Sequence, residues 1–229
     1  MTWSTADIHV HTTCSDGRPA PEQLAAHLTR TRLAVVAVTD HDTIEGALRV
    51  EEALAGAGPE IVIGSEVSSA DGHVLALFVG RDVPPGRGAA WTIDAIHDQG
   101  GLAVAAHPFS LALGVGELAE RLPFDAVELI NGSPLMELPN ARSIRRLARR
   151  GVALAGGSDA HVTAAVGNVH TVFPGLGAAD LRAAIVARLT RPAIDRLPHA
   201  AAWPGHLAWL MWLQLRRGVQ RSGPVGTPT

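Results

Sequence analysis

The sequence contains one cysteine, no lysine, no tyrosine and few aromatic residues of any kind. Cys14 has no partner with which to form an internal disulfide, which excludes the disulfide-stapled scaffolds of small secreted proteins. No stretch reaches the roughly 20 consecutive apolar residues needed to cross a bilayer, so a transmembrane segment is not expected. Met1 to Val10 shows no basic start followed by an apolar run, so a secretory signal is not expected either, and the cytoplasm is the expected compartment. A formal net charge of -3 argues against a dedicated nucleic-acid binder, which would carry a strongly basic balance. What is present is 229 residues with 47% hydrophobic content, which suits one globular domain with at most a small appendage. Such a chain buries enough surface to fold without a structural metal, so any metal it binds has a functional role. Eleven histidines are the informative excess.

Short apolar, β-branched runs predict strands at 6–12, 34–40, 60–67, 72–80, 102–107, 126–131 and 152–158. Helical periodicity falls between them at 21–31, 43–57, 89–99 and 134–150, and after the last strand at 178–190. Pro21 near one helix start and the Asp42-Thr43-Ile44-Glu45 sequence, which resembles a capping box, support two of these helices. Strands too apolar to face water on either side predict an α/β protein whose parallel sheet is covered by helices. Seven of them predict a barrel, with an open doubly wound sheet as the alternative. The main domain is expected over residues 1–195 and a C-terminal segment over 196–229. Within that segment, residues 203–217 hold three of the five tryptophans and read as an apolar helix. It must bury itself against the barrel flank, in a homodimer interface or at a membrane surface, the first two being favoured. A tail rich in Gly, Pro and Thr, Arg221 to Thr229, is expected to be disordered.

If the strands are parallel, their C-terminal ends gather on one face. The residues there are His9 and His11, then Asp40-His41-Asp42, Glu66, His107 and Asp159 with His161, all of metal-ligand type. His9 and His11 are two apart on a strand and project to the same side, as two ligands of one ion must. Burying so many histidines and carboxylates without cations would leave polar groups and charges unpaired, at several kcal/mol each, so the cluster is read as a metal site.

The four motifs, His9-Val10-His11 with Ser15-Asp16-Gly17, Thr39-Asp40-His41-Asp42, Ala106-His107-Pro108 and Gly157-Ser158-Asp159-Ala160-His161, occur in an order that resembles the PHP (polymerase and histidinol phosphatase) superfamily of metal-dependent phosphoesterases. The resemblance spans about residues 5–175. It implies a distorted seven-stranded (β/α)7 barrel with two or three divalent ions, Zn, Mn or Fe. Carried over by position, it implies His9, His11, Glu66 and Asp159 around a first ion, Glu66, His73 and His107 around a second, and Asp16, His41 and His161 around a third. His73 opens the fourth strand rather than closing it. Position 16 carries Asp where some relatives have His, which bears on the affinity and hardness of the third ion.

The activity implied is hydrolysis of a phosphate ester of a small metabolite or nucleotide by attack of metal-bound hydroxide, with no phosphoenzyme. Three divalent ions against the three carboxylates would leave a charge of about +3 to attract phosphate. Asp40 and Glu128, at or near strand ends, are candidates for orienting histidines or protonating the leaving group. Arg18 and Asn131 are candidates for substrate contacts. Cys14 and Ser158 are read as supporting residues rather than nucleophiles. Arg142, Arg145, Arg146, Arg149 and Arg150 share one helix face, read as a solvated surface with Ile144 and Leu147 packed inward. The sharper reading of that face is a groove for a polyanion. Two other functions stand beside the first: a PHP-type exonuclease acting on DNA or RNA ends, possible but not favoured, and a catalytically silent metal-binding module acting through a partner.

Overall fold

A computed structural model describes residues 2–134 and 136–195. Its strands are β1 (Trp3–Val10), β2 (Val35–Val38), β3 (Glu60–Ser69), β4 (Gly72–Leu77), β5 (Leu102–Ala105), β6 (Ala126–Asn131), β7 (Ala153–Gly157), β8 (Val169–Pro174) and β9 (Arg191–Ile194). The helices are α1 (Pro21–Leu28), α2 (Glu45–Leu54), α3 (Ala89–His97), α4 (Glu137–Leu147) and α5 (Ala178–Val186). The expected helix with its tryptophans and the expected disordered tail lie outside the described residues.

All nine strands form one sheet in the order β7-β6-β5-β4-β3-β2-β1-β8-β9. The seven expected strands are present, but two more, β8 and β9, extend the sheet beyond β1. The sheet is also mixed rather than parallel: β4 runs antiparallel to both β3 and β5, β8 antiparallel to β1, and β9 antiparallel to β8. A buried strand is apolar on both faces whichever way its neighbours run, so composition alone does not distinguish the two directions.

The sheet curls until β7 approaches β1, β8 and β9 at its other end. There the Thr171 hydroxyl accepts from the Gly156 N–H at 2.9 Å and donates to the Gly156 carbonyl at 2.8 Å, so a side chain replaces a ladder bond at the seam. At the end where the candidate residues gather, backbone pairing takes over. His11 N–H donates to the Ala160 carbonyl at 3.0 Å, and Ala160 N–H donates to that of His9 at 3.3 Å. The result is a nearly closed, barrel-like α/β fold.

One core cluster draws on β1 through β8, with Ile8, Leu75, Leu77 and Phe173 fully buried and Leu181 and Ile185 of α5 packed against them. Each such side chain contributes about 1.5–3 kcal/mol by leaving water. Leu24 and Leu28 of α1 and Val50 and Leu54 of α2 cover the outer face of β1 and β2, while Ile93 and Ile96 of α3 and Leu147 of α4 cover β4 to β6.

Two local expectations are corrected. Asp42 does not cap α2: its carboxylate accepts the Ser68 N–H at 2.7 Å instead, and Asp42 itself takes a left-handed backbone (φ 59°). Ile144 of α4's basic face is 45% exposed rather than packed inward. The buried stripe of α4 instead runs through Ser143 and Leu147, which are one turn apart and share a face.

Candidate metal centre

Strand ends bring the nine expected ligands together. The antiparallel direction of β4 explains His73: the start of β4 lies beside the end of β3, so a residue that opens its strand reaches the same end as Glu66. Glu66 is the hub. Its Oε2 lies 3.2 Å from His9 Nε2, 3.3 Å from His11 Nε2 and 3.4 Å from His41 Nδ1. Its Oε1 lies 2.7 Å from His73 Nδ1 and 3.0 Å from His107 Nε2. Asp159 Oδ1 closes the first group at 3.5 Å from His9 Nε2 and 3.3 Å from His11 Nε2. Asp16 forms a third group, with Oδ1 at 3.2 Å from His161 Nε2 and Oδ2 at 3.4 Å from His41 Nε2.

These spacings suit a metal better than a hydrogen-bond network. Ligands about 2.0–2.1 Å from a tetrahedral ion lie about 3.3–3.4 Å from one another. Four of the six edges of such a tetrahedron are present among His9 Nε2, His11 Nε2, Glu66 Oε2 and Asp159 Oδ1, at 3.2–3.5 Å. Both histidine nitrogens are buried and have no hydrogen-bond partner despite the nearby carboxylates, because the atoms face a common centre rather than each other. Overlapping sets of three donor atoms, each within 4.8 Å of one another, also include His11, Asp16 and His41, and His41, Glu66 and His73.

The electrostatics agree. Burial alone would raise the Glu66 carboxyl, yet the charges of His73, His9 and His41 hold it well below the usual range. Burial likewise opposes charge on His11, but the carboxylates of Asp159 and Glu66, each 3.3 Å from its Nε2, push its pKa up to about 10. His9, His41 and His107 move the same way for similar reasons. The carboxylates thus demand positive charge in the middle of the cluster, and a cation entering it competes with protons on the imidazoles. Because the shift on these histidines is upward, divalent-ion affinity should weaken as pH falls and binding should release protons. Calorimetry in buffers of different ionisation enthalpy reads both, and an affinity independent of pH between about 6 and about 9 would place the ion elsewhere.

Two of the candidate ligands sit on strained backbone: His107 and Asp159 both have positive φ, at 26° and 51°. Non-glycine residues held this way cost about 1–3 kcal/mol each and concentrate at functional sites. Buried carboxylates hold the cluster from behind. Glu128 Oε1 lies 3.1 Å from His9 Nδ1, which turns Nε2 toward the centre, and Oε2 accepts the His107 backbone N–H at 2.7 Å. Replacing Glu128 by Gln should therefore weaken metal binding about 10–100-fold, read by competition with a chromogenic chelator. A β-bulge between Glu128 and Ile130 lets Asn131, three residues on, turn to the same side. Asp40 accepts the Thr12 N–H at 2.8 Å, the Thr12 hydroxyl at 2.7 Å and the Ser15 hydroxyl at 2.6 Å, fixing the loop between His11 and Asp16.

Sequence reasoning missed Asp7. It is fully buried, and its carboxylate accepts backbone N–H groups from His9 at 3.3 Å, Ser158 at 3.0 Å and Gly167 at 2.8 Å, tying β1 to the segments before and after Asp159. The available signal was its place two residues before His9, on the same side of the strand.

With this geometry in view, comparison with known proteins is decisive. A PHP domain model matches residues 7–120, and a PHP-associated model matches residues 137–190. The chain belongs to the PHP family. An uncharacterized protein of Methanocaldococcus jannaschii is 35% identical over 138 residues, covering 55% of this chain and 81% of that one. The 5'-3' exoribonuclease Rnm of Salmonella typhimurium is 38% identical over 79 residues, 32% of this chain and 27% of the relative. A two-domain Bacteroides vulgatus protein containing a predicted PHP-like metal-dependent phosphoesterase shares the fold with a TM-score of 0.71 at 18% identity, over 84% of this chain and 65% of that one.

In this PHP chain the remaining candidates are placed as follows. Asn131 is 1% exposed, and its amide donates to Glu128 at 2.9 Å and Asp159 at 3.2 Å, so it faces the carboxylates rather than an open surface. Arg18 is exposed at the wall of a cavity. Ser158 is buried, with its N–H on Asp7, and burial pushes the Cys14 thiol up, away from the reactive thiolate. The basic face of α4 is partly neutralised: Arg146 pairs with Glu117 and Glu120, and Arg150 with Glu120. Arg142 stacks over Phe109 at 4.8 Å. No helix among the described residues is long and apolar enough to cross a membrane.

Proposed function

We propose that this protein is a metal-dependent phosphoesterase that hydrolyses phosphate esters of a small metabolite or nucleotide, with His9, His11, Asp16, His41, Glu66, His73, His107, Asp159 and His161 as its metal ligands. The observation that carries the reading is the set of four buried donor atoms at tetrahedral spacing, joined through Glu66 to two further donor groups. Six imidazoles and three carboxylates suit Zn, Mn or Fe. Divalent ions held there would supply electrophilic stabilisation of phosphoryl oxygens and activation of water.

The chain's own part is orientation. Glu128 turns His9, Asp40 holds the loop that carries Asp16, and Asn131 bridges Glu128 to Asp159. Asp40 and Glu128 are both engaged by protein donors, which supports an orienting role over proton delivery. Hydrolysis at nucleic-acid ends is the second reading, favoured by the likeness to the exoribonuclease and weakened by the ion pairs that neutralise part of the α4 arginine face.

Release of 4-nitrophenol from its mono- and bis-phosphate esters, by stripped protein reconstituted with Mn or Zn, tests the proposal. Metal-dependent turnover that is absent from Asp159→Ala is the expected result, and a preference for the bis ester would favour the nuclease reading. Bound metal without turnover on either ester would favour a silent binding module.

A further inference from the structure

The last residues of β6 have a neighbouring strand on one side only. β5 ends at Ala105, which pairs with Val127 of β6, whereas β7 follows β6 as far as Asn131. Gly132 N–H donates to the Gly157 carbonyl of β7 at 2.9 Å, so the N–H and carbonyl of the adjacent Asn131 point the other way, to the side that β5 has left. Asn131 is 1% exposed, and backbone groups buried to that degree need a partner from the protein. The partner is the side chain of Asn140, whose own N–H closes the first turn of α4 on the Met136 carbonyl at 2.7 Å. Asn140 Oδ1 accepts the Asn131 N–H at 2.9 Å, and its Nδ2 donates to the Asn131 carbonyl at 2.8 Å. A primary amide carries an acceptor and a donor side by side, as a strand residue does, so this one side chain takes the place of a strand.

The clamp reaches the candidate ligands through the Asn131 side chain. That amide accepts the Ser133 N–H at 2.8 Å and donates to Glu128 Oε2 at 2.9 Å and to Asp159 Oδ2 at 3.2 Å. With Oδ2 held there, Asp159 presents Oδ1 to the Nε2 atoms of His9 and His11, at 3.5 and 3.3 Å. Asp159 stands on strained backbone at φ 51°, a conformation that persists only where the surroundings hold it. The end of β6 also packs on the residue before it: a Cβ added at Gly132 would lie 2.9 Å from the Ser158 carbonyl oxygen. The buried residues of α4, Ser143 and Leu147, lie in its second half, so Asn140 is what ties its first half to this strand end.

We propose that Asn140 is a positioning residue of the metal centre, acting through Asn131 to aim the Asp159 carboxylate at the point on which the donor atoms converge. The inference rests on the reading of Asp159 as a metal ligand and not on the hydrolysis of any ester. Residues that orient a ligand without touching the ion change metal affinity about 10–100-fold, and Asn140, one contact further out, should act at the lower end of that range. Residues that act in series have non-additive effects, which separates this role from one in folding alone.

The test is a double-mutant cycle on the full chain. Mn affinity is read by competition with a chromogenic chelator, and the melting temperature of the stripped protein is read beside it. Asn140→Ala should weaken Mn binding about tenfold in the native background and less than about twofold in an Asn131→Ala background, where the amide through which it acts is gone. Asn140→Asp keeps the shape but sets an oxygen against the Asn131 carbonyl, so it should weaken Mn binding as much as Asn140→Ala, and it keeps the cycle readable if the alanine variant folds poorly. Native Mn affinity in both Asn140 variants, whatever their melting temperatures, overturns the inference, as do equal losses in the two backgrounds. Asp159→Ala is the control. Unchanged Mn binding in Asp159→Ala would overturn the ligand reading and this inference with it, whereas loss there beside native affinity in the Asn140 variants would overturn the positioning role alone. The expected coupling without hydrolysis of either nitrophenyl ester would support the positioning role and count against the phosphoesterase reading.

Discussion

Glu66→Gln should abolish metal loading and with it metal-dependent hydrolysis, by more than the roughly 10–100-fold typical of losing a residue that merely orients a ligand. Glu66 is 2% exposed and contacts five imidazoles with two oxygens, Oε2 toward His9, His11 and His41, and Oε1 toward His73 and His107. Gln preserves the shape but converts one of these oxygens into a donor and removes the negative charge. Since the two oxygens serve different donor groups, the substitution should damage both together, whereas His73→Ala should spare the group formed by His9, His11 and Asp159. Metal content by mass spectrometry, together with hydrolysis of a monoester, reads this directly. Wild-type metal stoichiometry in Glu66→Gln would remove Glu66 from the centre and sink the ligand assignment.

The second large effect belongs to Asp7, and it concerns stability first. Burial pushes the Asp7 carboxyl up, even though the N–H groups of Ser158, Gly167 and His9 pull it down, so the charge is itself costly where it stands. Loss of Asp7 is destabilising because of what it leaves behind: three backbone donors from three separate segments, in a position with no water-exposed surface. Each orphaned donor costs about 1–3 kcal/mol, or about 3–9 kcal/mol for the three, and removal of the buried charge offsets part of this, so Asp7→Ala should lose about 3–6 kcal/mol, a large part of the roughly 5–15 kcal/mol that holds a domain folded. At about 2–4 °C per kcal/mol for a chain of this size, the melting temperature should fall by about 6–24 °C. Asp7→Asn keeps one acceptor and should recover part of the loss. Metal affinity should fall with stability in both variants, because Ser158 directly precedes Asp159. A melting temperature unchanged in Asp7→Ala would show that the three segments are held by other contacts.

How much of the centre was legible beforehand depends on the range of the signal. His9 and His11 could be paired because two residues on a strand share a side, and Asp159 with His161 because they are likewise two apart where the chain leaves the seventh strand. His73 was legible only by resemblance. Its position at the start of a strand counts against it in a parallel sheet and places it correctly in the antiparallel hairpin that β3 and β4 form. Glu128 and Asn131 are three apart and would point to opposite sides of a regular strand, and the bulge between them is a property of the β6–β7 pairing. The strands β8 and β9 went unmarked although the Val169–Pro174 run is apolar, and with them went the seam that Thr171 makes with Gly156.

By itself, then, the sequence determined the alternation of strands and helices, the gathering of histidines and carboxylates at strand ends and the metal chemistry those residue types imply. All of these follow from local periodicity and side-chain type. The tertiary structure alone decided strand direction, the closing of the barrel through β8, the division of Glu66 between two donor groups and the tethering role of Asp7. Each of these depends on which distant segment supplies the hydrogen-bond partner or the facing charge, and a residue's sequence neighbours carry no record of that.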